Sequence, residues 1–231
     1  MKKKTSNNAQ SEAKAAKTNS PCRIADRCGA CTCIDEPYAH QVARKQGFVC
    51  ELFKSQITEN TVVEPYAAME KPWGYRNKIA SPFAPSPRLK PSKTKSRSSR
   101  DVLCGMYASG THHIVQTDVC PVEHPVGRKV ISAVRSLMLR WGIEPYNEDT
   151  GEGFMRHVVV RVGHESGEVL VTLVTNAQTF PSSRNFCREL VKRCPEITTV
   201  VQNVNLRKTN AILGFEEHVL YGPGFILDTL C

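Results

Sequence analysis

Met155-Arg156-His157-Val158-Val159-Val160-Arg161-Val162 runs into Gly163-His164-Glu165-Ser166-Gly167 and out through Glu168-Val169-Leu170-Val171-Thr172-Leu173-Val174-Thr175. Two β-branched runs joined by a glycine-flanked polar turn predict a β-hairpin. Arg156 and Arg161 would fall on opposite faces of its first strand, because side chains alternate along a strand. Working outward, residues 183–193 predict a helix with Phe186, Leu190 and Val191 inward, and 197–204 a strand. Residues 205–210 read as a polar turn, 211–214 as a short strand and 225–230 as a last apolar strand. Upstream, 124–141 is the clearest helix. Val126, Val130, Val134, Leu137 and Trp141 make one apolar stripe, Arg128, Lys129, Arg135 and Arg140 are expected nearer solvent, and Gly142 is placed to end it.

Farther toward the start, residues 36–55 predict a helix with Tyr38, Val42, Val49, Leu52 and Phe53 near one face. Residues 73–80 predict a strand with Tyr75, Asn77 and Ile79 on one side and Arg76, Lys78 and Ala80 on the other. Residues 82–100 hold four prolines and six cations, which suits a mobile basic loop. Helices and hairpins interleave without a regular βαβ repeat, so the expected class is α+β.

The balance of 31 Lys plus Arg against 22 Asp plus Glu gives a net charge of +9 in 231 residues. That favours a polyanionic partner, nucleic acid first and an anionic membrane surface second. No apolar run approaches a membrane span. Residues 1–20 are lysine-rich, lack an apolar stretch, and are expected to be a disordered basic tail rather than a secretory signal. Ten cysteines without such a signal argue for a reducing, cytoplasmic setting.

Those cysteines carry the chemistry. Cys22, Cys28 and Cys31 fall in Cys-x5-Cys-Gly-Ala-Cys, and Cys120 stands far away in Asp-Val-Cys-Pro-Val. Thiols two residues apart can reach one centre from a tight turn, and Gly29 suits that turn. Four sulfurs, one followed by proline, fit a [4Fe–4S] cluster. Structural zinc also takes four thiolates but favours two close pairs, and no second pair stands near Cys120. Cys33 is a spare thiol that could replace Cys31 in either scheme. Ordinary unliganded thiols are the third reading.

Five stretches together resemble the RNA uracil-C5 methyltransferases, in the branch that carries a [4Fe–4S] cluster and acts on 23S ribosomal RNA. They are Cys22 with Cys28-Gly29-Ala30-Cys31 and then Tyr38, Gln41 and Lys45; Tyr75-Arg76-Asn77-Lys78; His113-Ile114-Val115 leading to Cys120-Pro121; the 155–161 strand; and Val201-Gln202-Asn203-Val204-Asn205 with Thr209-Asn210, Gly214 and Tyr221-Gly222. The resemblance implies Cys22, Cys28, Cys31 and Cys120 as ligands, with Cys120 preferred over Cys33, Cys50 or Cys104. It implies three parts: the tail 1–20, a cluster loop and helix at 21–57, and a central RNA-binding α+β region at 58–231. The cluster-bearing loop and helix would pack on that central region.

The family continues into a domain that binds S-adenosylmethionine and supplies an attacking cysteine and a base. No strand–Gly-x-Gly–helix unit is found in this chain, so that domain is expected to be missing and no catalytic residue is assigned. Arg76, Lys78, Arg156 and Arg161 are the candidate RNA contacts. The expected partner is ribosomal RNA and the expected state a monomer, inactive alone. A non-catalytic iron–sulfur or zinc nucleic-acid-binding module and an electron-transfer protein are the alternatives.

Overall fold

The valine-rich hairpin forms as predicted and lies in the middle of a sheet. The computed structural model describes residues 20–86 and 102–230. Strands are β1 (Lys78–Pro85), β2 (Val102–Tyr107), β3 (Ile114–Gln116), β4 (Met155–Val162), β5 (Val169–Thr175), β6 (Ile197–Val204) and β7 (Glu216–Tyr221). Helices are α1 (Tyr38–Leu52), α2 (Pro125–Trp141) and α3 (Ser183–Arg193). The strand order is β3-β2-β1-β4-β5-β6-β7. Neighbours run antiparallel except β5 and β6, which are parallel and joined through α3. A parallel pair needs such a crossover, whereas the hairpin needs only its turn.

Register explains the core. Ile79 pairs with Val160, Val160 with Val171, and Val171 with Val200, so one row crosses four strands. All four residues are fully buried. Val130, Val134 and Leu137 of α2 and Phe186 and Leu190 of α3 are buried with them. Each such side chain contributes about 1.5–3 kcal/mol by leaving water. Gly127 lets α2 seat closely, because a Cβ there would lie 2.5 Å from Ile79 Cδ1. Trp141 meets Phe186 edge-on at 6.0 Å between ring centroids. Pro125 opens α2, and Gly142, at φ 66°, ends it in the left-handed conformation.

Several expectations change. β1 runs over 78–85 rather than 73–80, through two prolines. Ile79, Ser81 and Phe83 alternate inward, and that alternation outweighs the break the prolines suggested. Residues 87–100 of the expected basic loop, and residues 1–19 of the tail, lie outside the described residues. The 211–214 strand is absent: Asn205 donates to the carbonyls of Ala211 and Ile212, and Asn203 exchanges hydrogen bonds with Gly214. These amides hold the segment as a loop, in competition with strand pairing. The 225–230 strand is replaced by β7 at 216–221. Beyond it the Leu227 N–H donates to a Glu168 carboxylate, and Asp228 accepts from the hairpin turn. Arg128 is not at the surface. Its Nε donates to buried Glu123 at 2.6 Å and its Nη1 to the Thr117 carbonyl at 2.8 Å.

Helix α1 forms where predicted but does not bury its apolar face. None of its residues is buried, and none from 20 to 78 is; among the described residues the first buried one is Ile79. Among the described residues no helix is long and apolar enough to cross a membrane.

Candidate metal centre

The three early cysteines occupy one compact loop. Turns hydrogen-bonded from Ala25 N–H to the Cys22 carbonyl and from Cys28 N–H to the Ile24 carbonyl bring Cys22 back toward Cys28. The loop docks on the end of β2. Cys28 bridges to Ala108, and the Gly29 N–H donates to the Tyr107 carbonyl at 3.0 Å. A Cβ on Gly29 would lie 2.8 Å from the Ser109 backbone, so this glycine permits the docking as well as the turn.

Cys120 arrives from the other side, on the turn between β3 and α2. Its segment is stitched to residues 74–76 by backbone bonds: Gly74 N–H to Pro121 O at 2.9 Å, Arg76 N–H to Val122 O at 2.8 Å, and His124 N–H to Arg76 O at 3.0 Å. Cys22, Cys28, Cys31 and Cys120 all line one cavity, walled otherwise by mostly apolar groups such as Ile24, Ile34, Met106 and Val119. Burial pushes the Cys31 thiol up; the Arg76 guanidinium opposes that, and Cys28 and Cys22 reinforce it. Burial likewise pushes Cys120 up, with Glu123 adding to it, against backbone N–H groups of Val122 and Glu123 that favour the thiolate.

The spare thiols lie elsewhere. Cys33 faces Arg44, whose Nη2 is 3.6 Å from its sulfur. Cys50 is in α1 beside Gln46, and Cys104 is buried in β2, where desolvation pushes its thiol up to about 12. The start of α1 is tied to the segment before it: Gln41 Nε2 donates to the carbonyls of Cys33 and Glu36, at 2.9 and 2.8 Å. Among the described residues no three His, Cys, Asp or Glu groups are arranged to hold a single metal ion.

The four candidate cations separate into three settings. Lys78 and Arg161 are exposed and stand directly opposite each other on β1 and β4, on the face away from the buried row. Arg76 is half-buried, and its Nη2 donates to the Ala30 carbonyl at 3.2 Å while its guanidinium also reaches Cys31. Arg156 is buried, donates to the carbonyls of Asn205 and Arg207 at 2.7 Å each, and lies 4.4 Å over the Tyr146 ring. Its guanidinium is spent inside the protein, a placement that the alternation rule allowed for one of the two arginines.

Sequence reasoning did not anticipate the Glu123–Arg128 pair under the Cys120 turn. The signal was local: an acid three residues after the cysteine and an arginine one turn into the helix. Nor did it foresee the work of the Gln202-Asn203-Asn205 amides. Gln202 Nε2 donates to Thr175 Oγ1 and to the carbonyls of Ala177 and Gln178, so all three residues fix neighbouring loops.

No protein-family profile matches the chain. It is 32% identical over 221 residues to an uncharacterised RNA methyltransferase of Halalkalibacterium halodurans, covering 95% of this chain and 45% of that protein. A Staphylococcus epidermidis RNA methyltransferase is 34% identical over 211 residues, 91% of this chain and 44% of its own length. Among solved structures, the tRNA (uracil-54, C5)-methyltransferase of Pyrococcus abyssi, crystallised with S-adenosyl-L-homocysteine, superposes with a TM-score of 0.62 at 23% identity. The match covers 88% of this chain and 43% of that one. The chain is related by sequence to RNA methyltransferases of which it spans a little under half, and it shares the fold of the matching part of a uracil-C5 methyltransferase.

Proposed function

We propose that this chain is the RNA-gripping, cluster-bearing part of an S-adenosylmethionine-dependent 23S ribosomal RNA uracil-C5 methyltransferase. The observation that carries the reading is the meeting of Cys22, Cys28 and Cys31 with Cys120, from nearly a hundred residues away, around one cavity. Four cysteines from two distant segments lining one cavity would supply the four thiolates that a [4Fe–4S] core takes.

When bound, such a cluster supplies a covalent cross-link rather than the methyl-transfer chemistry. The protein's own residues do the rest. Cys120 reaches the site because Glu123, paired with Arg128, and the backbone stitches to residues 74–76 fix its turn. Arg76 is better read as a positioning residue for Cys31 than as an RNA contact. Lys78 and Arg161, two like charges held opposite each other, repel in the free protein and are relieved by an anion, which suits a phosphate of RNA. No catalytic residue is assigned within the chain, so on this reading the chain alone should transfer no methyl group.

Anaerobic purification with iron, sulfide and zinc analysis tests the centre. Four irons and four sulfides per chain with a broad band near about 400 nm are expected; stoichiometric zinc without that band refutes the ligand reading. Ribosomal RNA affinity should fall steeply with salt, and Lys78→Ala with Arg161→Ala should reduce the salt slope by about two. Salt-insensitive binding removes the partner.

A further inference from the structure

We infer that α3 carries a second track for an RNA phosphate backbone, separate from Lys78 and Arg161. This rests on the function proposed above, since it takes folded RNA as the partner. Arg184, Arg188 and Lys192 recur every four residues, so they stack along one exposed face of the helix. With a rise of about 1.5 Å per residue they stand about 6 Å apart along its axis. Arg188 donates to Asn185 Oδ1 at 3.0 Å, within the helix, and among the described residues no acid pairs with any of the three. The neighbouring cations are held differently. Lys129 Nζ donates to Glu196 at 2.6 Å, Arg140 Nη1 lies 3.5 Å from Glu189, and Arg193 Nη1 donates to Ser136 Oγ at 3.0 Å. Glu189, the one acid of α3, is thus turned toward α2.

This arrangement costs the free helix. Like charges four residues apart repel, and Arg184 sits in a first turn that favours an acid and has none. Lys192 alone is well placed, near the C-terminal end. Bound phosphates relieve both costs at once. The face offers nothing to a lipid surface, because Phe186 and Leu190, the large apolar side chains of α3, are fully buried. A helix lying on a membrane keeps such groups free to insert. Nor does the stripe continue the Lys78–Arg161 pair. That pair lies on the face away from the buried row, and the hairpin turn at its end of the sheet carries Glu165 and Glu168 and receives Asp228. RNA must therefore meet α3 with a separate stretch of backbone.

The test is binding of the full 231-residue chain to purified 23S ribosomal RNA over a salt series. Arg184→Ala, Arg188→Ala and Lys192→Ala together should lower the slope of log affinity against log salt by about three, and Arg188→Ala alone by about one. Lys129→Ala, which removes a paired cation from the neighbouring helix, should leave the slope near the wild type. Arg184→Glu separates a contact from a structural role. It supplies the missing first-turn acid and a partner for Arg188, so the melting point should rise while RNA binding weakens. Loss of stability and binding together assigns Arg184 a structural role and overturns its place in the track. A triple variant with the wild-type slope overturns the inference, as does an equal loss in Lys129→Ala, which assigns the effect to net charge. Binding to phosphatidylserine vesicles that the triple variant abolishes, with RNA binding unmoved, assigns the stripe to lipid and also overturns it. RNA binding absent from the wild type removes the proposed function and the track together. Binding that responds to Lys78→Ala with Arg161→Ala but not to the α3 variants removes only the track.

Discussion

Residues 20–78 and residues 79–230 are held together by different physics. The second region has rows of apolar side chains at zero exposure, running from Ile79 through Val160 and Val171 to Val200 and capped by α2 and α3. The first has no buried residue. What ties it down is a docked loop and a few polar pins such as Gln41 and Arg76, and three of its cysteines line one cavity with a fourth. A segment that buries so little cannot offset the entropy of ordering its backbone, about 1–2 kcal/mol per residue, by burial alone. That shortfall is what the proposed cluster would offset.

Breaking the centre should therefore separate the regions. Cys120→Ser changes a residue outside the first region, yet its largest effect should appear inside it. Amide exchange of residues 20–56 should quicken, because losing a direct ligand costs more metal affinity than the roughly 10–100-fold typical of losing only an outer-shell partner. Strands β4 and β5 should keep their protection. Hydrogen-exchange mass spectrometry checks this, and opening of both regions together would break the comparison.

The next test loads the second region. Arg128→Ala leaves Glu123 buried without its cation, and breaking such a pair costs about 3–5 kcal/mol. Denaturant melts should show that loss globally, with iron release following because the Cys120 turn is held by the same pair. Arg44→Ala, which removes an exposed pair with Glu36 at 2.7 Å, should leave the midpoint nearly unchanged.

The second region was mostly legible from the sequence, because periodicity reports burial. The stripe from Val126 to Trp141 and the two valine runs gave α2, β4 and β5 nearly to the residue. Legibility failed where side chains, rather than a ladder, satisfy the backbone: Asn203 and Asn205 took 211–214, and Asp228 sits in a stretch expected to be a strand. β2 and β3 were missed because each is short and partly covered, so neither shows a clean alternation. The cysteine set was readable as residue types. That Arg76 serves the cysteine loop while Lys78, two residues on, faces solvent could not be read, since it depends on the stitch between residues 74–76 and 121–124.

A smaller effect separates the regions by pH. His157 is buried in β4, and desolvation first, with Arg156 adding to it, pulls its pKa down from 6.5 to about 4. As pH falls below about 6.5 the unfolded chain takes a proton that the folded chain refuses. Stability is lost through that window and levels off below about 4, by about 2–4 kcal/mol in all. Urea midpoints of the wild type should follow that curve, and His157→Gln should flatten it. An unchanged slope in the variant would place the acid sensitivity elsewhere.

The smallest expected effect shows what polar pins achieve unaided. Asp228 accepts N–H groups of His164, Glu165 and Ser166 at 2.7, 3.0 and 3.1 Å, and those backbone bonds hold its carboxyl at about 2, below the ordinary 3.8. A depressed carboxyl contributes above the unfolded value and ceases to contribute as pH falls through the folded one. Asp228→Ala should quicken exchange of those three amides several-fold at pH 5, and the difference should vanish near pH 2, where NMR exchange can follow it. The melting point should barely move, since the carboxylate is fully exposed and the strands on either side of the turn are held by the core. Three good hydrogen bonds thus secure one turn that already rests on a buried hairpin. Residues 20–78 have pins of the same kind and no buried hairpin beneath them, so if Asp228→Ala proves this local, pins of that kind fall short there and the proposed cluster would supply the rest.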